Sequence, residues 1–253
     1  MPKKEDKVPA TLRAVAVMEA LARAERPVSL THLAESTHLP KPTVYRMLAM
    51  LQDARLAMRE PGLRRYAPGP RLNGLARDVM LSGRFRAARH AVLDRLVAEI
   101  GETCNFTMLD DASVVYVDRV EAAWPLRMNL SSGSHVPLHC TASGKLLVAM
   151  LPKPARERLV ASLALTPFTA NTITERKRFQ AELARIRAQR YATDNEEYHA
   201  GLVCVSVPVH DARRRTCAAL AVHAPISRMP LERALAHLPT LRRAAEAMSA
   251  TFC

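Results

Sequence analysis

The stretch HLPKPTVYRMLAMLQ, residues 38–52, sets two prolines, Pro40 and Pro42, directly before an amphipathic run. Proline is tolerated at the first helical positions, where its missing N–H would have no partner anyway, so the spacing predicts a helix opening near Lys41 and Pro42. Val44, Met47, Leu48 and Leu51 then fall at i, i+3, i+4 and i+7 and make one apolar face. Arg46 points the opposite way, and Thr43 and Tyr45 sit with it on the first turn. Upstream, TLRAVAVMEALARA at 11–24 reads as a helix that stops before Pro27, and Ser29 can cap a short second helix, LTHLAES, whose Leu30, Leu33 and Ala34 follow helical spacing. A tight turn, THLP, leads into the third helix. Downstream, RLAMREPGLRRYAPG places two extended runs around Pro61-Gly62, the pair that suits the centre of a type II turn. Three helices followed by a hairpin carrying Arg59, Arg64 and Arg65 describe a winged helix-turn-helix, a module that sets the first turn of its recognition helix into the DNA major groove. Pro42, Thr43, Tyr45 and Arg46 are thereby expected at bases and phosphates. The three hairpin arginines are expected at phosphates, against the plainer reading of a solvated charged surface.

The composition agrees. With 253 residues, 49% of them hydrophobic, the chain can bury two cores. The net charge of +13 and a pI near 10.1 imply an anionic partner, of which nucleic acid is the commonest. Residues 1–82 hold 14 Lys+Arg against 8 Asp+Glu, a net +6, while residues 83–253 hold 23 against 16, a net +7 over twice the length, so the N-terminal third is the denser cation. Lys3, Lys4 and Lys7 form a basic arm. Cysteines 104, 140, 204, 217 and 253 are odd in number and contain no CxxC pair, which argues against a disulfide framework or a zinc knuckle. No apolar run approaches the roughly 20 residues of a membrane helix, and MPKKEDKVPATLR lacks the pattern of a secretory signal, so we expect a cytoplasmic protein that does not engage a membrane.

Beyond the hairpin, RLNGLARDVMLSG at 71–83 reads as a linker helix ending at Gly83, and residues 84–100 as an amphipathic helix stopped by Gly101. TCNFTML and SVVYVDRV flank the turn DDA as a hairpin. Thr172 and Glu175 match a capping box ahead of a helix whose Phe179, Leu183 and Ile186 share a face. LVCVSVPV and TCAALAVHA are two strands joined by HDARRR, and a final helix runs from about Pro230 to Ala250. The fold class is therefore α+β, with a winged helix-turn-helix at 1–70, a linker helix at 71–83 and a mixed sheet-and-helix domain at 84–253.

Three segments in order, PTVYRMLAML, GSHVPLHCTASGKLLVAML and DNEEYHAGLVCVSVPVHD followed by AALAVHAPISR, resemble the IclR family of bacterial transcriptional regulators over essentially the whole chain. The resemblance implies a C-terminal GAF/PAS-like domain that binds a small organic acid. It also implies a homodimer or homotetramer, repression or activation at a double-stranded DNA operator, and control of a catabolic operon. It implies effector contacts at Ala142, Ser143, Asp194 and Cys204, with Met128 and Val136 at apolar pocket positions.

The residues themselves leave alternatives open. HCTASGK at 139–145 is not a phosphate-binding loop, because Leu146 follows Lys145 where Ser or Thr is required. The break from a proline-containing loop into GKLLVAM still suits a carboxylate at a helix start, although the same segment reads as an ordinary junction capped by Thr141 or Ser143. Asp194 reads equally as a turn aspartate, and Cys204 as a small buried hydrophobe. Trp124 and Arg127 could supply a stacking surface and a carboxylate partner, or simply pack. Cys140 with His139 or His135, or Cys204 with His199, could pair as nucleophile and base. His135, His139, Cys140, Asp194 and Cys204 could converge on a metal. Our expectation is a regulator with no catalytic residue, no metal and no cofactor. The rivals are a small-molecule or metal-dependent enzyme domain fused to a basic DNA-binding domain, and an architectural DNA binder without a ligand.

Overall fold

The computed structural model describes residues 8–252 except 25, 61, 82 and 124–131. The arm lysines Lys3, Lys4 and Lys7 and the candidate residues Trp124, Arg127 and Met128 lie outside the described residues. The chain divides into two compact units, residues 1–80 and 81–253. Among the described residues no helix is long and apolar enough to cross a membrane.

In the first unit, α1 (Ala10–Arg23), α2 (Leu30–Thr37) and α3 (Lys41–Asp53) surround one core. Val17 and Leu21 of α1, Leu33 of α2 and the whole predicted face of α3, Val44, Met47, Leu48 and Leu51, meet there. The Ser29 side chain accepts from His32 N at 3.2 Å, as its capping role requires. Pro40 takes the N-cap position of α3, and its carbonyl accepts from Thr43 N and Val44 N, so the helix starts where the prolines place it. The wing is β2 (Ala57–Arg59) and β3 (Arg65–Pro68), closed by a turn in which Leu63 N donates to Glu60 O and Gly62 sits at φ +74, the left-handed value that a type II turn demands. A strand not foreseen, β1 (Val28–Ser29), joins them in the order β1-β3-β2. Two residues are too few to leave a periodic signal. Helix α4 (Pro70–Leu81) follows the wing.

In the second unit, α5 spans Gly83–Ile100, so Gly83 opens this helix and does not close the preceding one. Six antiparallel strands follow: β4 (Thr103–Asp110), β5 (Ser113–Val120), β6 (His135–Pro137), β7 (Ala192–Asn195), β8 (Leu202–His210) and β9 (Thr216–Pro225), in the order β6-β5-β4-β9-β8-β7. One face of the sheet, through Cys104, Phe106, Val115, Val117, Val203, Val205, Val207, Leu220 and Val222, packs on α5, α9 (Leu231–Ala236) and α10 (Leu238–Ser249). The other face carries α6 (Ala142–Met150), α7 (Lys153–Ser162) and α8 (Arg176–Gln189), whose Phe179, Leu183 and Ile186 are buried together as their spacing predicts.

Two expectations fail for identifiable reasons. The capping box does not form: the N-cap of α8 is Glu175 without a side-chain bond, because the Thr172 hydroxyl is buried and occupied, accepting from Phe168 N and Thr169 N and donating to Glu197 O at 2.6 Å. The final helix is two, broken at His237, since Pro239 has no N–H to give and its ring would collide with the carbonyl four residues back. Helix α7, opened by Pro152 and Pro154 in the manner of α3, was not foreseen either.

Helix α6 is buried at every position from Ala142 to Ala149. Its close approach to the preceding loop depends on Gly144, where a Cβ would lie 2.4 Å from Leu138 O and 2.6 Å from Leu138 Cα. Both are backbone atoms and cannot swing aside. Gly144→Ala should therefore lower stability by about 1–3 kcal/mol or more, the range for overpacking, measured by urea unfolding of the full chain. Unchanged stability would show that α6 can slide off the loop.

Candidate functional site

In the first unit, burial of one side of α3 fixes what the other side presents. Tyr45 is 59% exposed, Pro42 and Arg46 are exposed, and Thr43 is half-buried. Arg59, Arg64 and Arg65 are exposed on the wing. No side-chain hydrogen bond or ion pair engages the guanidinium groups of Arg46, Arg59, Arg64 or Arg65 among the described residues, so all four are available to phosphates or base edges. Lys41, which the sequence reading passed over, is exposed at the first turn of α3 beside them.

In the second unit the candidate residues gather where α6 begins. Thr141 caps it: its hydroxyl accepts from Gly144 N at 3.1 Å and donates to Pro137 O at 2.7 Å. The backbone N–H groups of Ala142 and Ser143 therefore open a buried helix end, an arrangement that favours negative charge. Ser143 Oγ lies 3.4 Å from Ser206 Oγ on β8, which sets this helix end over the sheet. Cys204 is two residues along β8 on the same face, and Asp194 on the edge strand β7 is its register partner. Val136 is on β6, at the sheet's other edge, buried with Val114, Leu138 and Leu146.

Electrostatics make this end of the sheet unusual. Asp194 is 3% exposed, and burial, with repulsion from Glu197, raises its carboxyl to about 7 even though Glu197 N (2.7 Å) and Tyr198 N (3.3 Å) donate to its Oδ1 and Lys145 lies near. The turn-aspartate reading is thus correct for one oxygen and leaves the other uncommitted. Burial, then Asp194, raises the Cys204 thiol well above its ordinary value, and burial with Asp194 and Glu197 pushes Cys140 up to about 12. A nucleophilic cysteine needs the opposite shift. His139, the neighbour imagined as its base, bonds through Nε2 to Thr166 O at 2.8 Å. His135 pairs with Asp110 at 2.7 Å, and among the described residues no three of His, Cys, Asp and Glu are arranged to hold a metal ion.

Two features escaped the sequence reading. Lys145, on α6 one turn beyond Ala142, is wholly buried and ion-paired to Glu197 Oε1 and, at 3.5 Å, to Glu182 Oε1 of α8. A lysine with no carboxylate near it in sequence gives no sign of such burial. The second is a polar chain across the sheet: Arg119 Nη1 donates to Asn105 Oδ1 at 3.0 Å, and Asn105 Nδ2 meets His223 Nδ1 at 2.8 Å. Their alternation within TCNFTML, SVVYVDRV and TCAALAVHA was legible; their meeting depends on strand order.

Comparison with known proteins accords with both units. The family model for the IclR helix-turn-helix domain matches residues 10–61, and that for the bacterial transcriptional regulator IclR C-terminal region matches residues 79–250. The chain is 48% identical over 244 residues to a Cupriavidus necator protein, "Probable transcriptional regulator SauR", covering 96% of this chain and 97% of that one. It is similar to the crystal structure of Thermotoga maritima IclR, with TM-score 0.64, 27% identity and coverage of 96% and 98% of the two chains. It shares its fold with a 19% identical IclR homolog from Microbacterium hydrocarbonoxydans complexed with 4-hydroxybenzoate, TM-score 0.60, covering 96% of this chain and 99% of that one. These relatives are regulators of transcription and not enzymes, which removes the enzyme rival. With a helix-turn-helix at one end and the matching regulatory region over the remainder, the chain belongs to the IclR family of DNA-binding bacterial transcriptional regulators.

Proposed function

We propose that this regulator senses a small organic acid, with the first unit holding an operator and residues 84–253 carrying the effector site. The observation that carries the reading is the buried polar end of α6: free amides at Ala142 and Ser143 facing a sheet surface lined by Ser206, Cys204 and Asp194. Helix amides favour a carboxylate, and the uncommitted Asp194 oxygen can meet a hydroxyl or another polar group on the same ligand. Hydroxy acids and hydroxylated aromatic acids satisfy both. The bound 4-hydroxybenzoate of the Microbacterium relative is chemistry of this kind. By family resemblance, Met128 and Val136 take apolar effector-contact roles, and Trp124 and Arg127 are candidates by their own chemistry, a stacking ring and a carboxylate partner. The protein works in the cytoplasm as a homodimer or homotetramer on a catabolic operon. The linker helix α4 transmits ligand binding as a change in how two recognition helices are spaced, because paired half-sites can be read only at a fixed separation.

The DNA half is tested with a duplex selected by repeated cycles of binding. Arg46→Ala should weaken it by about 1–3 kcal/mol in a gel-shift titration, the scale of one lost base contact, with the melting temperature unchanged. Arg64→Ala and Arg65→Ala should weaken selected and random duplexes alike and flatten the salt dependence by about one counterion each. Full affinity in Arg46→Ala would take α3 out of the groove.

The effector half has a pH signature. A carboxyl raised to about 7 is mostly neutral at pH 6 and charged at pH 8. The charged form repels an anionic ligand, so binding is coupled to proton uptake, and affinity should fall by up to about tenfold per pH unit above 7. The same raised value means that the Asp194 contribution to stability is present below about pH 4 and is lost as pH rises toward 7. Asp194→Asn retains the oxygen that Glu197 N and Tyr198 N require and removes the charge. Calorimetry against a panel of hydroxy acids and 4-hydroxybenzoate should show the parent's affinity falling between pH 6.5 and about 8.5 and the variant's staying level. A parallel decline in both would place the ligand away from Asp194.

A further inference from the structure

We infer that Arg119 and Asn105 are positioning residues for His223, locking its ring in the tautomer that presents Nε2–H to the α6 side of the sheet as a fixed donor for an oxyanion of the effector. Only the last clause rests on the effector-site reading above.

Strand register places the ring. Thr103 of β4, His223 of β9, Cys204 of β8 and Asp194 of β7 are successive partners in one row across the sheet, and Asn105, Ala221, Ser206 and Ala192 form the next row. Directly opposed residues of antiparallel strands share a face. Their alternating neighbours, Cys104, Val222, Val205 and Val203, belong to the apolar cluster on the opposite side. The His223 side chain therefore lies on the face that Ser143 reaches through Ser206. Two strand spacings, about 10 Å, separate it from Asp194. That span accommodates a small acid with its charge at one end and a hydroxyl at the other.

The hydrogen bonds then assign the proton. Arg119 can only donate, so the Asn105 oxygen faces Arg119 and the Asn105 NH2 faces His223; the reversed amide would set donors against donors. Arg119 is itself held by Glu121 Oε1 at 3.2 Å. His223 Nδ1 accepts from Asn105 and carries no proton, which leaves the proton of the neutral ring on Nε2. Asn105, Arg119 and His223 are 1%, 9% and 6% exposed, so water does not compete for these bonds. Burial, with Arg119 and Arg228 nearby, holds the ring neutral, its pKa lowered to about 3. Nε2–H has no hydrogen-bond partner among the described residues. The ring keeps 6% of its surface accessible, and a donor with no protein partner there, next to Cys204 and in a row with Asp194, lies where a ligand oxygen can meet it. Any oxygen lone pair accepts from it, and the Ala142 and Ser143 amides at the start of α6 favour negative charge, so the ligand class is a deprotonated oxyacid.

The test uses histidine-labelled full-length protein and long-range proton–nitrogen NMR, with the His223 signals identified by their loss in His223→Gln. We expect the Nε2–H tautomer from pH 5 to 8. The Nδ1–H tautomer, or an imidazolium at pH 6, would overturn the lock. In Asn105→Asp the carboxylate accepts from Nδ1, so the ring should invert its tautomer or protonate; an unchanged ring would remove Asn105 from the positioning role. Should that variant not fold, the parent spectrum still decides. Titration with glycolate and 4-hydroxybenzoate, each paired with its amide, tests the donor. An acid that binds should shift His223 Nε2–H together with the Ala142 and Ser143 amides, and its amide should bind at least tenfold more weakly. Movement of the Ala142 and Ser143 amides with His223 still would overturn the contact. If none of the three responds, the effector-site reading falls and the donor role with it, while the tautomer alone decides the lock.

Discussion

The architecture of the second unit turns on the buried ion cluster around Lys145. The ammonium comes from α6, one carboxylate from Glu182 of α8 and the other from Glu197 in the connection between β7 and β8. Removing one member of such a cluster leaves an uncompensated charge in the interior and typically costs about 3–5 kcal/mol, so the three elements are fastened to one another. The fastening spreads through the backbone. Glu197 N donates to Asp194, and Glu197 O receives the hydroxyls of Thr172 and Thr169. The helix end with free amides, the carboxyl on β7 and the loop before α8 thus share one set of constraints.

The first unit obeys a simpler constraint. Its small core takes one face from each helix and two wing residues, Ala57 and Tyr66. Away from that core the unit presents polar groups together with exposed apolar side chains such as Leu12, Met50 and Leu63, and the arginines of α3 and the wing find no acidic partner among the described residues. Their charge is left for a partner to neutralise, which suits binding whose strength follows ionic conditions.

How much of this was legible depended on how local the cause was. Pro40 and Pro42, the period of Val44, Met47, Leu48 and Leu51, and the turn at Gly62 act within a few residues, and the structure follows them. Phe179, Leu183 and Ile186 were likewise readable. Thr172 misled because a hydroxyl has several possible partners, and Glu197 O, 25 residues on, took the bond that the local pattern offered to α8. Pro239 breaks the final helix although apolar residues continue at helical spacing on both sides of it, so periodicity alone hides the break. In the candidate site, Ala142, Ser143, Asp194 and Cys204 entered through resemblance, and the register brings them to one end of the sheet. Lys145 and the chain Arg119, Asn105 and His223 could not be read. Asn105 and His223 are 118 residues apart and become neighbours only because β4 pairs with β9.

The central sheet also separates two evolutionary tasks by parity. Along β8 and β9, odd and even positions face different surroundings: Val203, Val205, Val207, Leu220 and Val222 belong to the apolar core, while Cys204, Ser206, Ala221 and His223 face α6. A mutation at a site-facing position leaves the opposite layer's packing intact. Descendants of this chain can therefore change the surface that faces α6, one strand position at a time, without dismantling the scaffold that folds them.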